Sequence, residues 1–309
     1  MGSTKFFLFG KLRIETSINV IPKIEPHKAE ELLVYLLLYR DQSQPREHLA
    51  DVLWGEISPE QSKSYLRKAL WQLQSRLELH GGQNILLVDG EWLQVNPHFD
   101  YWLDIEVLEQ AFKNTQGVQG KDLEKKQAKN IQSAVEIYRG ELLAGWYNNW
   151  CLFERERLQH QYLVMLDKLM DYCESHQQYE EGISYGERIL RYDPAREHTH
   201  RRLMRLHYLS GNRTAALRQY RKCMEILRVE LDVEPAQRTH QLFQLICNDK
   251  LASTQSPRES TGKKIPNMRE KSLTSVFGHL GAFQESLTKM QAQVSNDMRI
   301  IEKLLKGNW

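Results

Sequence analysis

Two small residues, Gly182 and Ala216, stand 34 residues apart in bulkier, helix-prone sequence. That spacing is the period of a stacked helix–turn–helix repeat, with the small side chains at the points where paired helices cross. Asp193-Pro194 closes the first unit and Glu234-Pro235 follows the second. Helix pairs of this kind cannot bury their apolar faces alone, so they stack on their neighbours and form a concave surface. Such a surface docks other molecules and carries out no catalysis.

The N-terminal third follows a different plan. Lys5 to Phe9, Lys11 to Glu15 and Ile18 to Ile21 are short β-prone pieces, broken by Gly10 and closed by Pro22, and predict a small antiparallel sheet. Lys28 to Tyr39 has the apolar density of a buried helix, Asp41 to Pro45 reads as a polar turn, and Arg46 to Trp54 reads as a shorter helix ended by Gly55. Ser58 and Pro59 suit the start of a third helix, because Ser can cap free amides and Pro is pre-set for the first turn. That helix is expected to run to about Leu79 and stop at Gly81-Gly82. Asn84 to Val88 and Trp92 to Val95 flank Asp89-Gly90, a pair that favours a hairpin. Strands, three helices and a terminal hairpin are the layout of a winged helix-turn-helix.

At 100° per residue, Leu66, Ala69, Leu70, Leu73 and Leu77 share one face of the third helix and must pack on the domain. Ser64, Lys68, Trp71 and Ser75 point the other way, with Arg67 and Gln72 at the margins. Arg and Lys can neutralise phosphates or reach guanine edges, and Gln can bond adenine, so this face suits a DNA reader. A solvated face on an interaction helix fits the same pattern. Trp71 is open to contact with thymine methyl groups or sugar, and equally to packing on a neighbouring protomer. Trp54, Trp102, Trp146 and Trp150 read as core or inter-domain packing.

A chain of 309 residues with 41% hydrophobic residues can bury a sizeable core, and at roughly 100 to 200 residues per domain it should hold two or three. No apolar run reaches the roughly 18 residues that a membrane helix needs. Met1 to Phe9 has one lysine and no small-residue cleavage site, so it does not read as a signal peptide and the expected location is cytoplasmic. Cys151, Cys173, Cys223 and Cys247 lie too far apart for a zinc knuckle or a redox pair and read as small buried hydrophobes. His198 and His200, two positions apart on a helix, face away from each other; with His207 they are expected to be solvated rather than to hold a metal. Neither a phosphate-cradling glycine loop nor a hydrolase motif is present in the sequence, so we expect no enzymatic activity and no cofactor.

The net charge of +2 hides a gradient: Met1 to Gln110 carries 11 basic against 16 acidic residues, and Lys250 to Trp309 carries 10 against 5. Residues 250–272 read as a flexible basic linker. Beyond them Leu273, Leu280, Leu287, Val294 and Ile301 recur every seven residues, and Val276, Phe283, Met290, Asp297 and Leu304 fill the second seam. The pattern predicts an amphipathic helix over 273–306, either a coiled coil that makes a dimer or a helix folded back on the repeats. Asp297 would be costly in a symmetric seam.

Leu32 to Leu77, through "LADVLWG" (Leu49 to Gly55) and "SKSYLRKALWQLQSRL" (Ser62 to Leu77), resembles the OmpR/PhoB-type winged helix of the Streptomyces antibiotic regulatory protein (SARP) family. "FDYWLDIEVLEQAF" (Phe99 to Phe112) is similar to that family's inter-domain junction. "AVEIYRGELLAGWYNNWCLFERERL" from Ala134, and the segment from Tyr179 to Pro235, resemble the bacterial transcriptional activator domain, a tetratricopeptide-like array. The resemblance implies a mainly α protein: an α+β winged helix over 1–98, an activator domain over 99–249, then the linker and helix. It also implies a bacterial regulator, usually an activator, that binds repeated sites in double-stranded DNA, contacts RNA polymerase and works at the nucleoid. Carried over by position, Lys63, Ser64, Arg67, Lys68, Trp71 and Gln72 would meet DNA. Gly55, Glu56, Ile57, Ser58 and Pro59 would form the polymerase-contact loop, and Asp89, Gly90, Glu91 and Trp92 the wing.

The chain departs from the family's pattern in having Gln72, Gln74 and Ser75 late in the helix and two acids in the wing, which implies few phosphate contacts. A protein-interaction adaptor whose winged helix binds protein is the alternative. A small-molecule signal sensed by the repeats is a third, for which no pocket is legible in sequence.

Overall fold

The computed structural model describes residues 4–16, 20–21, 24, 26–78 and 85–250. The linker and heptad segment expected at 250–272 and 273–306, apart from Lys250, and the Gly81-Gly82 helix stop lie outside the described residues.

Strands β1 (Thr4–Phe7), β2 (Arg13–Glu15) and β3 (Val20–Ile21) pair antiparallel, as expected. A fourth strand, β7 (Tyr101–Leu103), then joins β1 in parallel, so the sheet is not purely antiparallel. One buried row crosses all four strands, from Leu103 through Phe6 and Ile14 to Ile21. Alternation fixes this register, because a one-residue slip would turn the row to solvent. β7 lies beyond the boundary expected at residue 98, within the stretch read as a junction, yet it completes the N-terminal sheet.

Helices α1 (His27–Leu38), α2 (Arg46–Trp54) and α3 (Pro59–Glu78) follow the predicted order. A second sheet has the order β4 (Gln44–Pro45), β6 (Trp92–Val95), β5 (Leu86–Asp89), all antiparallel. Asp89 pairs with Trp92 across the predicted turn. The polar turn expected at Asp41 to Pro45 therefore ends in a strand, because Gln44 and Pro45 find partners in the hairpin some fifty residues away.

The helical array comprises α4 (Asp104–Lys113), α5 (Lys125–Ile137), α6 (Asn149–Ser175), α7 (Tyr179–Leu190), α8 (Glu197–Leu209), α9 (Arg213–Leu231) and α10 (Gln237–Cys247). Gly182 lies where α7 approaches both neighbours: a Cβ there would sit 3.1 Å from Leu206 and 3.2 Å from Cys173. Gly186, one turn on, is tighter, at 2.7 Å from Leu203 and 2.8 Å from Met170. Ala216 is fully buried, as the period requires. Cys151, Cys173 and Cys223 are buried and Cys247 is partly so.

His200 is not solvated as the spacing argument predicted. It is fully buried, donating from Nε2 to the Pro194 carbonyl (2.8 Å) while Nδ1 accepts from Gln219 (2.8 Å). Burial pushes its pKa down from the usual value, with the Pro194 bond opposing. The unfolded imidazole titrates near about 6.5, so this contribution is present above that pH and is lost as pH falls through and below it. Denaturant midpoints should fall between pH 7.5 and pH 5.5, and the fall should be smaller in His200→Gln. An equal fall in both proteins would show that His200 does not contribute.

The N-terminal elements and the array belong to one compact unit and share an apolar core as far as α8, while Met204, Ala216, Tyr220, Leu242 and Ile246 form a second cluster where α9 and α10 pack. The chain after β1 bonds to the loop before α6: Gly10 N–H to Glu141 O, Leu143 N–H to Leu8 O and Ala144 N–H to Gly10 O. Arg155 holds that loop by donating to the carbonyls of Leu142, Leu143 and Trp146. Glu109 on α4 accepts from Arg40, just after α1, and from Arg157 on α6, at 2.6 Å each. Arg157 also donates to the buried Glu154 (2.6 Å), which accepts from the Tyr39 hydroxyl (3.1 Å). Trp150 meets Tyr35 and Trp146 edge-on, the packing role expected of it.

Candidate nucleic-acid interface

Five residues anchor α3: Leu66, Ala69, Leu70, Leu73 and Leu77 are all buried, as the helical period predicted. Their burial turns Ser64, Lys68 and Trp71 to solvent, with Trp71 67% exposed, while Ser75 is partly covered. Arg67 is also exposed.

Lys63 and Arg67, exposed like Ser64 and Lys68, also face the hairpin. They line a cleft of about 420 Å³ together with Arg46 and Glu47 at the start of α2 and Gly90, Glu91 and Trp92 of the hairpin. The Glu91 carbonyl accepts from the Arg46 amide (2.8 Å), fixing the hairpin against α2. Lys63 pairs with Glu47 at 2.6 Å, and this hydrogen bond raises the lysine pKa and lowers that of the carboxyl. Both side chains are largely solvated, so the pair is screened and exchangeable. Sequence reasoning missed Arg46 and Glu47, which come from another helix.

Gln72 is partly covered, and its Oε1 is buried without a hydrogen-bond partner among the described residues. Its bidentate reach to adenine would need the side chain to turn outward. Asp89, Gly90, Glu91 and Trp92 are all exposed at the hairpin turn. Gly55 to Pro59, between α2 and α3, is exposed throughout. Among the described residues no group of three or more His, Cys, Asp or Glu could hold a metal, and no helix is long and apolar enough to cross a membrane.

This geometry is that of a winged helix joined to a helical array. Residues 103–247 match the family model described as "Bacterial transcriptional activator domain". In build the chain is a small α+β winged helix followed by a helical array, and the match to the activator-domain model lies in that array. Among solved structures it is similar to Mycobacterium tuberculosis EmbR in complex with a low affinity phosphopeptide, with a TM-score of 0.65 and 15% sequence identity. That match covers 92% of this chain and 72% of the EmbR chain. No curated protein sequence matches the chain.

Proposed function

We propose that this protein is a sequence-specific DNA-binding transcription regulator, acting as an activator on repeated promoter sites. The observation that carries this reading is the solvent-facing side of α3, where Ser64, Arg67, Lys68 and Trp71 are exposed and Arg67 shares a cleft with the exposed hairpin turn, while the opposite side is buried. A helix anchored in this way offers its outer face to a major groove, with the hairpin turn alongside. Arg67 and Lys68 supply phosphate or guanine contacts and Trp71 an apolar surface for thymine methyl groups. Lys63 joins them by exchanging Glu47 for a phosphate. The exposed Gly55 to Pro59 loop supports a contact with RNA polymerase.

With Glu47, Asp89 and Glu91 close by, the phosphate contacts are few, and each adds about −0.9 to the log-log salt slope. Affinity then depends on a homo-dimer engaging two half-sites. Mobility shifts on the chain's own upstream region should give a shallow salt slope. Deleting 250–309 should weaken operator binding and reduce the oligomeric state; if neither changes, the avidity argument fails.

A protein-docking role for the same surface draws on its apolar residues, with Trp71, Trp92 and Leu87 all exposed. In that case no DNA fragment would be shifted.

A further inference from the structure

A second cleft, of about 610 Å³, lies away from α3, between the strand pair β1–β2, β7 and the end of α5. Its volume is in the range typical of small-molecule sites, which are mostly apolar with a few convergent polar groups. The apolar wall is aromatic: Phe7 and Trp102 sit on neighbouring strands with ring centroids 5.1 Å apart, and Phe9 lies beside them. Leu12 and Ile137, both only partly buried, face the same space.

The charges in the cleft are unequal in their commitments. Each of its two acids is already engaged. Asp104 accepts from the amides of Leu8 and Phe9 through Oδ2 and from Ile105 through Oδ1. Glu136 pairs with Arg188 at 2.5 Å. Of the three cations, Arg13 pairs with Glu15 and lies over the Phe7 ring at 4.1 Å. Lys11 and Arg139 line the cleft, are exposed and have no ion pair among the described residues. The cleft thus joins an aromatic wall to two uncommitted cations and leaves no free carboxylate to repel an anion.

We propose that this cleft binds a small planar aromatic anion, its ring against Trp102, Leu12 and Ile137 and its acid group held by Lys11 and Arg139. A planar ring gains from offset stacking on the indole, and the guanidinium fork matches an oxyacid group in geometry as well as charge. The occupant would touch both the turn after β1 and the end of α5, so it would bridge the N-terminal sheet and the activator domain.

Naphthalene-2-sulfonate is a suitable probe, titrated into the full chain while the indole N–H signals are followed by NMR, with the Trp102 signal assigned through Trp102→Phe. The Trp102 signal should shift and saturate, and Lys11→Glu or Arg139→Glu should weaken binding about tenfold or more. Naphthalene-2-methanol, which has the ring without the charge, should bind wild type and both variants alike. If a reversal variant does not fold, Arg139→Gln makes the same comparison. A Trp102 signal unmoved at millimolar probe, or a sulfonate affinity indifferent to the two cations, would overturn the proposal.

Discussion

Arg67→Glu should abolish mobility shifts on operator DNA, weakening binding by roughly 100-fold. A lost phosphate or base contact costs about 1–3 kcal/mol, and reversing the charge adds repulsion from the same backbone. Arg67 is exposed and lies outside the buried stripe of α3, so the variant's thermal midpoint should stay near wild type. Ser75→Ala, on the same helix but late and partly covered, should bind nearly normally. If Arg67→Glu retains operator binding, α3 is not the reading helix. If wild type shifts no DNA at all, the protein-docking reading takes its place.

Asp104→Ala should be the most damaging single change to stability, lowering it by about 2–4 kcal/mol in urea unfolding. The residue is 1% exposed, and its carboxylate takes the amide hydrogens of Leu8, Phe9 and Ile105 at 2.7, 2.8 and 2.8 Å. Burial pushes its pKa up to about 6 even though these amide bonds draw it down. Alanine would leave Leu8 and Phe9, where the chain passes from β1 toward Gly10, with amides that no longer have this acceptor. Each buried donor stranded in this way costs about 1–3 kcal/mol. Asp104→Asn keeps one acceptor oxygen and should lose less. A near-neutral Asp104→Ala would mean that the strand end is held by packing alone.

What the sequence made legible was whatever depends on near neighbours. The buried stripe of α3 follows from three- and four-residue spacing, the hairpin from Asp89-Gly90, and the repeat from two small residues one period apart. β4 and β7 escaped because each is only two or three residues long and owes its existence to a partner far along the chain: Leu93 and Trp92 for one, Thr4 to Phe6 for the other. The candidate site divided in the same way. The exposure of Ser64, Arg67, Lys68 and Trp71 was readable from helical phase. The Lys63–Glu47 pair and the buried Gln72 oxygen arise from how α3 meets the rest of the domain. His200 was misjudged because two-residue spacing says nothing about Gln219 on the next helix. Asp104 stood in plain view within the junction motif, an acid among apolar residues, and that anomaly was the available signal.

Glu109, held between two arginines and wired through Arg157 and Glu154 to Tyr39, gives the protein the character of a ruler. A reading head on a loose tether could meet its target at many angles and distances. Here the path from α1 to α6 runs through charged bonds that are individually expensive to leave half made, so α3 and the helical array are held at one fixed offset. A ligand held by α3, as proposed for DNA, would meet the array at that same offset each time.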